Sequence, residues 1–212
     1  PLFDKGRSLY NHGPAREAAS KGGTLVVAEG YMDTIALAEA GFGATVAPLG
    51  TAITADQLAL MWRIAPEPVI ALDGDTAGIR AAERLVDLAL PLLAPGRSLR
   101  FCVLPEGRDP DDLIRAEGPA AMRRALEAAM PLVDMLWQRE TAHEPHDTPE
   151  RRAALEARTG EIIAAIGNET ARRYYREDFQ ARLRALFAPA NAAPFARERG
   201  FERRGGQARD YG

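Results

Sequence analysis

Four short apolar runs, each handing over to a stretch of helical periodicity, set the frame within which this chain can fold. Thr24-Leu25-Val26-Val27-Ala28 is the first and ends at Glu29; Ala44 to Ala47 is the second. Val69 to Leu72 is the third and ends at Asp73; Leu99 to Leu104 is the fourth. An apolar run of this length without polar alternation suits a strand buried on both faces, as in a parallel sheet. Between the runs, Met32 to Ala40, Thr54 to Ile64 and Thr76 to Leu93 carry apolar residues at helical spacing. Thr54-Ala55-Asp56-Gln57 fits a capping box, Thr54 as cap and Gln57 at the third helical position. This alternation predicts βαβ units with right-handed crossovers. The fold class is therefore α/β, a mostly parallel central sheet flanked by helices.

After Asp109 no further strand is expected. Asp111 to Glu117, Ala120 to Ala129, Leu132 to Glu140, Glu150 to Ile166 and Glu169 to Phe187 read as helices, with a polar loop from His143 to Pro149. A helical subdomain is thus expected to follow the α/β part. Residues 1–21 are mixed: Phe3, Leu9 and Tyr10 can pack, while Asn11-His12-Gly13-Pro14 is turn-like. From Pro189 the chain is Ala, Pro, Gly and Arg, the composition of a flexible linker or tail.

With 212 residues, 46% hydrophobic and 27% charged, the composition is that of a soluble globular chain able to bury a core. No run approaches the roughly 18 apolar residues of a membrane span, and nothing near Pro1 resembles a secretory signal. Cys102 is the only cysteine, which excludes a disulfide framework and a cysteine-based zinc site and makes a reducing cytoplasm the default. A net charge of −3 gives no global electrostatic case for nucleic-acid binding.

The informative feature is where the acids fall. Glu29, Asp73 and the Asp109/Asp111 pair follow the carboxyl ends of expected parallel strands. In open α/β sheets that edge binds ligands. Glu29 and Asp33 lie four apart, sharing a face if a helix starts there. Asp73-Gly74-Asp75 and Asp109-Pro110-Asp111 are both Asp-x-Asp pairs. Carboxylates converging on one rim cannot all stay ionised without a counter-charge. Hard oxygen ligands suit Mg²⁺ or Mn²⁺, the metals of in-line phosphoryl and nucleotidyl transfer. Each acid also has a plainer reading. Asp73-Gly74 is a common turn pair, Asp75 and Asp109 can cap helices, and Asp33 can be a solvated helix residue. Glu29 resists such a reading: directly after five apolar residues it is expected to be partly buried.

Other residues are expected to be structural. Pro145 breaks any helix that would align His143 with His146, and His12 sits in a turn. Cys102 is a buried strand thiol; Trp62 and Trp137 lie on apolar helix faces. Arg80 and Arg84 pair with Glu83 or Asp87 on a solvated face, with a phosphate role for the helix start as the alternative. Arg172-Arg173 beside Tyr174-Tyr175 could touch nucleic acid but fits an exposed amphipathic edge.

Val27-Ala28-Glu29-Gly30-Tyr31-Met32-Asp33, Leu49-Gly50-Thr51, Asp73-Gly74-Asp75-x-Ala77-Gly78 and Asp109-Pro110-Asp111 together resemble, in order and spacing, the Toprim domain of bacterial DnaG-type primases. Phe3-Asp4-Lys5-Gly6-Arg7 resembles the basic segment that precedes it. The resemblance spans about residues 1–190. It implies that Glu29, Asp73 and Asp75 are catalytic and that Glu29, Asp33, Asp73, Asp75, Asp109 and Asp111 hold Mg²⁺ or Mn²⁺. It also implies that Lys5 and Arg7 face nucleotide and template, with Arg80 on the helix beyond the Asp-x-Asp as a further candidate. The implied domains are 1–21, the end of a preceding polymerase subdomain; 22–118, the metal-binding domain; 119–188, helical support; and 189–212, the tail. The implied activity is synthesis of short RNA primers on single-stranded DNA from nucleoside triphosphates, with a replicative helicase as partner. Zinc belongs to a family domain absent here, since one cysteine cannot form the ribbon. The amino-terminal polymerase subdomain and the helicase-binding domain are absent too, so an excised piece is expected. Two alternatives stand beside this: a Toprim nuclease or topoisomerase-like phosphodiesterase, and a non-catalytic module holding Mg²⁺–nucleotide.

Overall fold

Apolar side chains on both faces of four parallel strands give the molecule its two-sided core. A computed structural model of the chain describes residues 4–49, 52–142 and 144–188. The elements are β1 (Leu9–Tyr10), α1 (His12–Ser20), β2 (Val26–Val27), α2 (Tyr31–Glu39), β3 (Thr45–Pro48), α3 (Ala55–Ile64), β4 (Val69–Leu72) and α4 (Thr76–Ala89), then β5 (Arg100–Val103), α5 (Pro110–Glu117), α6 (Pro119–Glu127), β6 (Met130–Pro131), α7 (Leu132–Thr141), α8 (Pro149–Ala164) and α9 (Glu169–Phe187). The sheet runs β1-β3-β2-β4-β5-β6. The inner four strands are parallel; β1 and β6 are antiparallel edges.

Alternate residues of each strand enter different cores. Val27, Val46, Ile70, Leu72 and Phe101 pack with α3, α4, α7, α8 and α9. Val26, Ala28, Val69, Ala71, Cys102 and Leu104 pack with Leu37 of α2, Leu113 of α5 and Met122 of α6. The strand order reverses at β2: the chain steps to β3 on one side, then crosses to β4 on the other. The gap between the carboxyl ends of β2 and β4 is thus the topological switch point of the sheet.

The expected α/β fold with a helical part is what the chain adopts. Three elements differ from expectation. β1 and β6 are two-residue edge strands, too short for any period to show, so a strand does follow Asp109. The turn-like Asn11–Pro14 segment instead opens α1: Asn11 takes a left-handed conformation (φ 60°) and its side-chain amide donates to Thr45 O at 2.9 Å. Pro14, in the first turn, loses no intrahelical bond. The helical part also shares its core with the sheet, since Leu132, Leu136, Ile163 and Phe179 pack in the cluster that holds Ile70 and Phe101. Among the described residues no helix is long and apolar enough to cross a membrane. Phe3, Gly50, Thr51, His143 and the tail from Pro189 lie outside the described residues.

Candidate active site

The rim is assembled from three strand ends. β2 ends at Val27, and Ala28 and Glu29 follow before α2 opens at Tyr31. β4 ends at Leu72 and delivers Asp73-Gly74-Asp75 to the start of α4; β5 leads through Pro105–Arg108 to Asp109 at the start of α5. The turn after β4 is locked to the loop after β5. Gly74 N donates to Arg108 O, and Gly107 N donates to Gly74 O, both at 3.0 Å. A Cβ on Gly74 would lie 1.9 Å from Pro105 O, and one on Gly78 would lie 2.3 Å from Asp73 O. Only glycine lets the backbones approach so closely, and that approach sets Asp73 in place.

Asp73 is the centre of the group. Its backbone N–H donates to Glu29 Oε1 at 3.2 Å across the switch point. Its Oδ1 is buried without a hydrogen-bond partner. Burial, then the charges of Glu29, Asp33, Asp109 and Asp75, push its carboxyl up to about 7. Asp33 is raised as well, by burial first and by the charges of Asp109 and Asp111. The largest charge effects on Asp73 all come from carboxylates and all raise it.

Asp75 and Asp109 also serve as caps. Asp75 Oδ1 accepts from Gly78 N, and Asp109 Oδ1 accepts from Asp112 N, both at 2.7 Å. Each keeps its second oxygen for another partner. Asp111 lies at the periphery, 2.8 Å from the Arg115 guanidinium one turn on. Glu29, expected to be partly buried, is exposed. It lies beyond the last ladder bond of β2, where the chain has already turned to the rim, so the half-buried carboxylate is Asp73 instead. Among the described residues no three His, Cys, Asp or Glu side chains are gathered tightly enough to hold a cation as they stand. The chemistry of the set nonetheless fits one. All donors are carboxylate oxygens, one buried oxygen is unpartnered, and the neighbouring carboxylates repel the charge on Asp73.

Lys5 and Arg7 form a short helical turn docked on the start of α3. Thr54 Oγ1 donates to Gly6 O at 2.6 Å, and Gln57 Nε2 donates to Lys5 O and Ser8 O at 3.0 Å each. The predicted capping box is present, with Thr54 and Gln57 bonding reciprocally. Because α3 begins just past the carboxyl end of β3, this basic turn sits on the same rim. Arg7 donates to Asp56 Oδ2 at 2.8 Å, leaving Lys5 as the cation of that turn without an ion-pair partner among the described residues. Arg80 is exposed one turn into α4. Asp87 does not pair with Arg80 or Arg84; it accepts from Arg139 of α7 at 2.7 Å. Arg84 instead lines, with Glu29, Ile53, Leu72 and Leu85, a cavity of about 250 Å³ beside the rim. The clasp by the β5–α5 loop and this cavity escaped the sequence reading. The run of glycines 74, 78 and 107 was the one available signal for the clasp.

The Toprim domain family matches residues 23–102. The DNA primase of Escherichia coli K12 is 40% identical over 185 residues, which is 87% of this chain and 32% of that protein. The DNA primase of Neisseria meningitidis serogroup A is 41% identical over 167 residues, 78% of this chain and 28% of that protein. A solved structure described as the DnaG catalytic core superposes with a TM-score of 0.80 at 40% identity, covering 88% of this chain and 60% of that one. The chain carries a Toprim domain and is homologous to part of the DnaG-type primases. It spans about a third of the length of the curated primases it matches. A DnaG catalytic domain bound to single-stranded DNA aligns at 39% identity and a TM-score of 0.78, covering 85% of this chain and 58% of that one. The Toprim match takes in Glu29, Asp33, Asp73 and Asp75, while Asp109 and Asp111 lie beyond it on the clasping loop and α5. Trp62, Trp137 and Cys102 are core residues, as expected; Trp62 Nε1 donates to Ser98 O at 2.9 Å. His146 is half-buried against Phe187, with neither ring nitrogen hydrogen-bonded.

Proposed function

We propose that this chain is the metal-and-nucleotide portion of a primase catalytic core, working in template-directed nucleotidyl transfer that makes short RNA primers on single-stranded DNA. The observation that carries this is Asp73, a half-buried carboxyl at the sheet's switch point with an unpartnered oxygen and four carboxylates acting on it. Glu29, Asp33, Asp73, Asp75 and Asp109 hold a divalent cation, Mg²⁺ or Mn²⁺, with Asp111 at the edge of the set. Bound there, the cation supplies charge neutralisation at phosphate and a lowered pKa for an attacking hydroxyl. The chain's own residues do the positioning. Gly74 and Gly78 fix the Asp73 backbone, Glu29 ties the ends of β2 and β4, and Asp75 and Asp109 orient their free oxygens by capping. Lys5, pinned by Gln57 and Thr54, offers a cation to triphosphate or template from the β3 side of the rim. Arg7 supports that turn through Asp56, and Arg80 meets phosphate from α4. Residues 22–118 form the metal-holding unit, 119–188 buttress it, and 1–21 carry the basic turn. The wider setting is a cytoplasmic replication protein whose partners are nucleoside triphosphates, template, primer and a replicative helicase.

The test has two arms. Mn²⁺ binding by the chain is followed by electron paramagnetic resonance, and Asp73→Asn with Asp75→Asn should abolish it. The chain is then substituted for the matching segment of the E. coli primase and assayed for primer synthesis. Synthesis by the wild-type chimera that survives the double change would overturn the reading.

A further inference from the structure

The loop that closes over Gly74 has little of its own to hold it. Pro105, Glu106 and Gly107 are all exposed, so none of them anchors the loop in a core. Its backbone makes one internal bond, from Arg108 N to Pro105 O at 3.1 Å, and two bonds to Gly74 at 3.0 Å. Among the described residues its side chains make a single bond: the Arg108 guanidinium donates through Nη1 to Glu117 Oε1.

The two partners stand on different footing. Glu117 is the last residue of α5, a helix about 12 Å long by its rise per residue. Leu113 buries α5 in the core that holds Val26, Ala71 and Leu104, so Glu117 rides on a fixed element. Arg108 belongs to the exposed loop, directly before the Asp109 cap. Its carbonyl accepts from Gly74 N while its guanidinium reaches along α5 to Glu117. One residue thus grips the Asp-x-Asp turn with its backbone and the end of α5 with its side chain.

An ion pair this exposed adds little to global stability. Its effect is felt where the competing state is a local opening, because a loop without a buried anchor opens far more readily than the chain unfolds. An open loop no longer fixes Gly74, so cation affinity falls in proportion to the closed fraction.

We propose that Arg108 and Glu117 are a positioning pair, whose ion pair braces the β5–α5 loop over Gly74 and so holds Asp73 and Asp109 in register for the divalent cation. The inference deepens the metal-binding reading above and rests on it. Two measurements on the 212-residue chain test it: hydrogen exchange at the Gly74 and Gly107 amides by NMR, and Mn²⁺ affinity by electron paramagnetic resonance. Arg108→Glu and Glu117→Arg each put like charges together. Each should speed exchange at both amides about fivefold and weaken Mn²⁺ binding about two- to threefold. Exchange at Leu113, inside α5, and the melting temperature should match wild type. Charge alone predicts a different pattern, since a new carboxylate at 108 would tighten Mn²⁺ binding and a new cation at 117 would weaken it. The double reversal should restore both readouts, and the gap between single variants and wild type should close at roughly 1 M salt, where screening acts within about 3 Å. Wild-type exchange at Gly74 in both single variants would overturn the proposal. So would tighter Mn²⁺ binding by Arg108→Glu, or a double reversal no better than the single changes. Failure of the metal-binding reading would look different, as no Mn²⁺ binding by the wild-type chain, with the exchange arm still deciding whether the pair braces the loop.

Discussion

The backbone N–H of Asp73 donates to Glu29 Oε1 at 3.2 Å, joining the ends of β2 and β4 across 44 residues of sequence. One bond thus brings two acids together at the point where the strand order reverses. Glu29 stays exposed there while Asp73 is drawn inward, with Asp33, Asp75 and Asp109 close enough to act on it. An arrangement that raises an acid above its ordinary range by burial and like charge is unfavourable for an isolated fold, and a cation removes both penalties.

The Asp73 carboxyl sets a pH dependence. Its value is raised from 3.8 to about 7, so the native state holds this proton more tightly than the unfolded chain does. The contribution to stability is full below about pH 4 and is lost as pH rises toward 7. Solvent screening of a half-buried group limits it to about 1–2 kcal/mol. Asp73→Asn should remove the loss, so urea unfolding without metal should show the variant gaining on the wild type between about pH 4 and pH 7, the window between the unfolded and folded values. Parallel pH profiles for the two proteins would contradict this.

Added divalent cation should reverse the same effect. A cation bound only by the folded chain stabilises it by about 2.7 kcal/mol at a hundredfold excess over Kd. Melting temperature should therefore rise with Mn²⁺ at pH 8, rise less at pH 5 where Asp73 is protonated, and stay unchanged in Asp73→Asn. Calorimetric scans with and without the ion check all three.

Much of this was legible in the sequence where the cause is local. The capping box of Thr54 and Gln57, the buried strand Val69–Leu72 and the Asp109-Pro110 helix start each follow from neighbouring residues, and each stands as expected. The acids at strand ends were legible too, because parallel topology dictates that edge. What was not legible depends on distant partners. Leu9–Tyr10 is a strand because it pairs with Ala47–Pro48, and Met130–Pro131 because it pairs with Arg100–Phe101. Asp87 pairs with an arginine 52 residues away instead of its helical neighbours. Burial of Asp73 in place of Glu29 comes from the loop of Pro105–Arg108 closing over Gly74.

That closure makes the two glycine types respond oppositely to alanine. Gly74→Ala places a methyl group 1.9 Å from Pro105 O, a contact with backbone that cannot swing away. The expected cost is about 3 kcal/mol or more, as for severe overpacking, together with lost Mn²⁺ binding as Asp73 shifts. Gly160, inside α8 with nothing within 4 Å of its added Cβ, should instead gain about 0.5–1 kcal/mol on replacement by alanine. Chemical unfolding of the two variants, side by side, separates a steric glycine from a spare one.

The helical buttress hangs on a buried charge. Glu140 of α7 is 7% exposed, with Oε1 accepting from Arg139 Nε and Oε2 from Arg158 Nε of α8, both at 2.8 Å. Arg139 also donates to Asp87 Oδ1 of α4, and Arg158 to the Glu140 carbonyl at 2.9 Å, so the network of two carboxylates and two arginines links three helices. Removing Glu140 leaves Arg139 with Asp87 alone and leaves Arg158, 39% exposed, to solvent, so the cost should fall below that of a fully buried pair, at about 1–3 kcal/mol. Glu140→Ala should therefore destabilise the chain by that order, while Glu140→Gln, which keeps one of the two acceptor oxygens and the side-chain volume, should cost less. Replacing Glu140, Arg139 and Arg158 together with leucine or methionine should recover much of the loss, because no unpaired charge remains buried. Urea midpoints for the three proteins distinguish a stranded charge from a lost contact, since a lost contact would make the triple change the worst of the set.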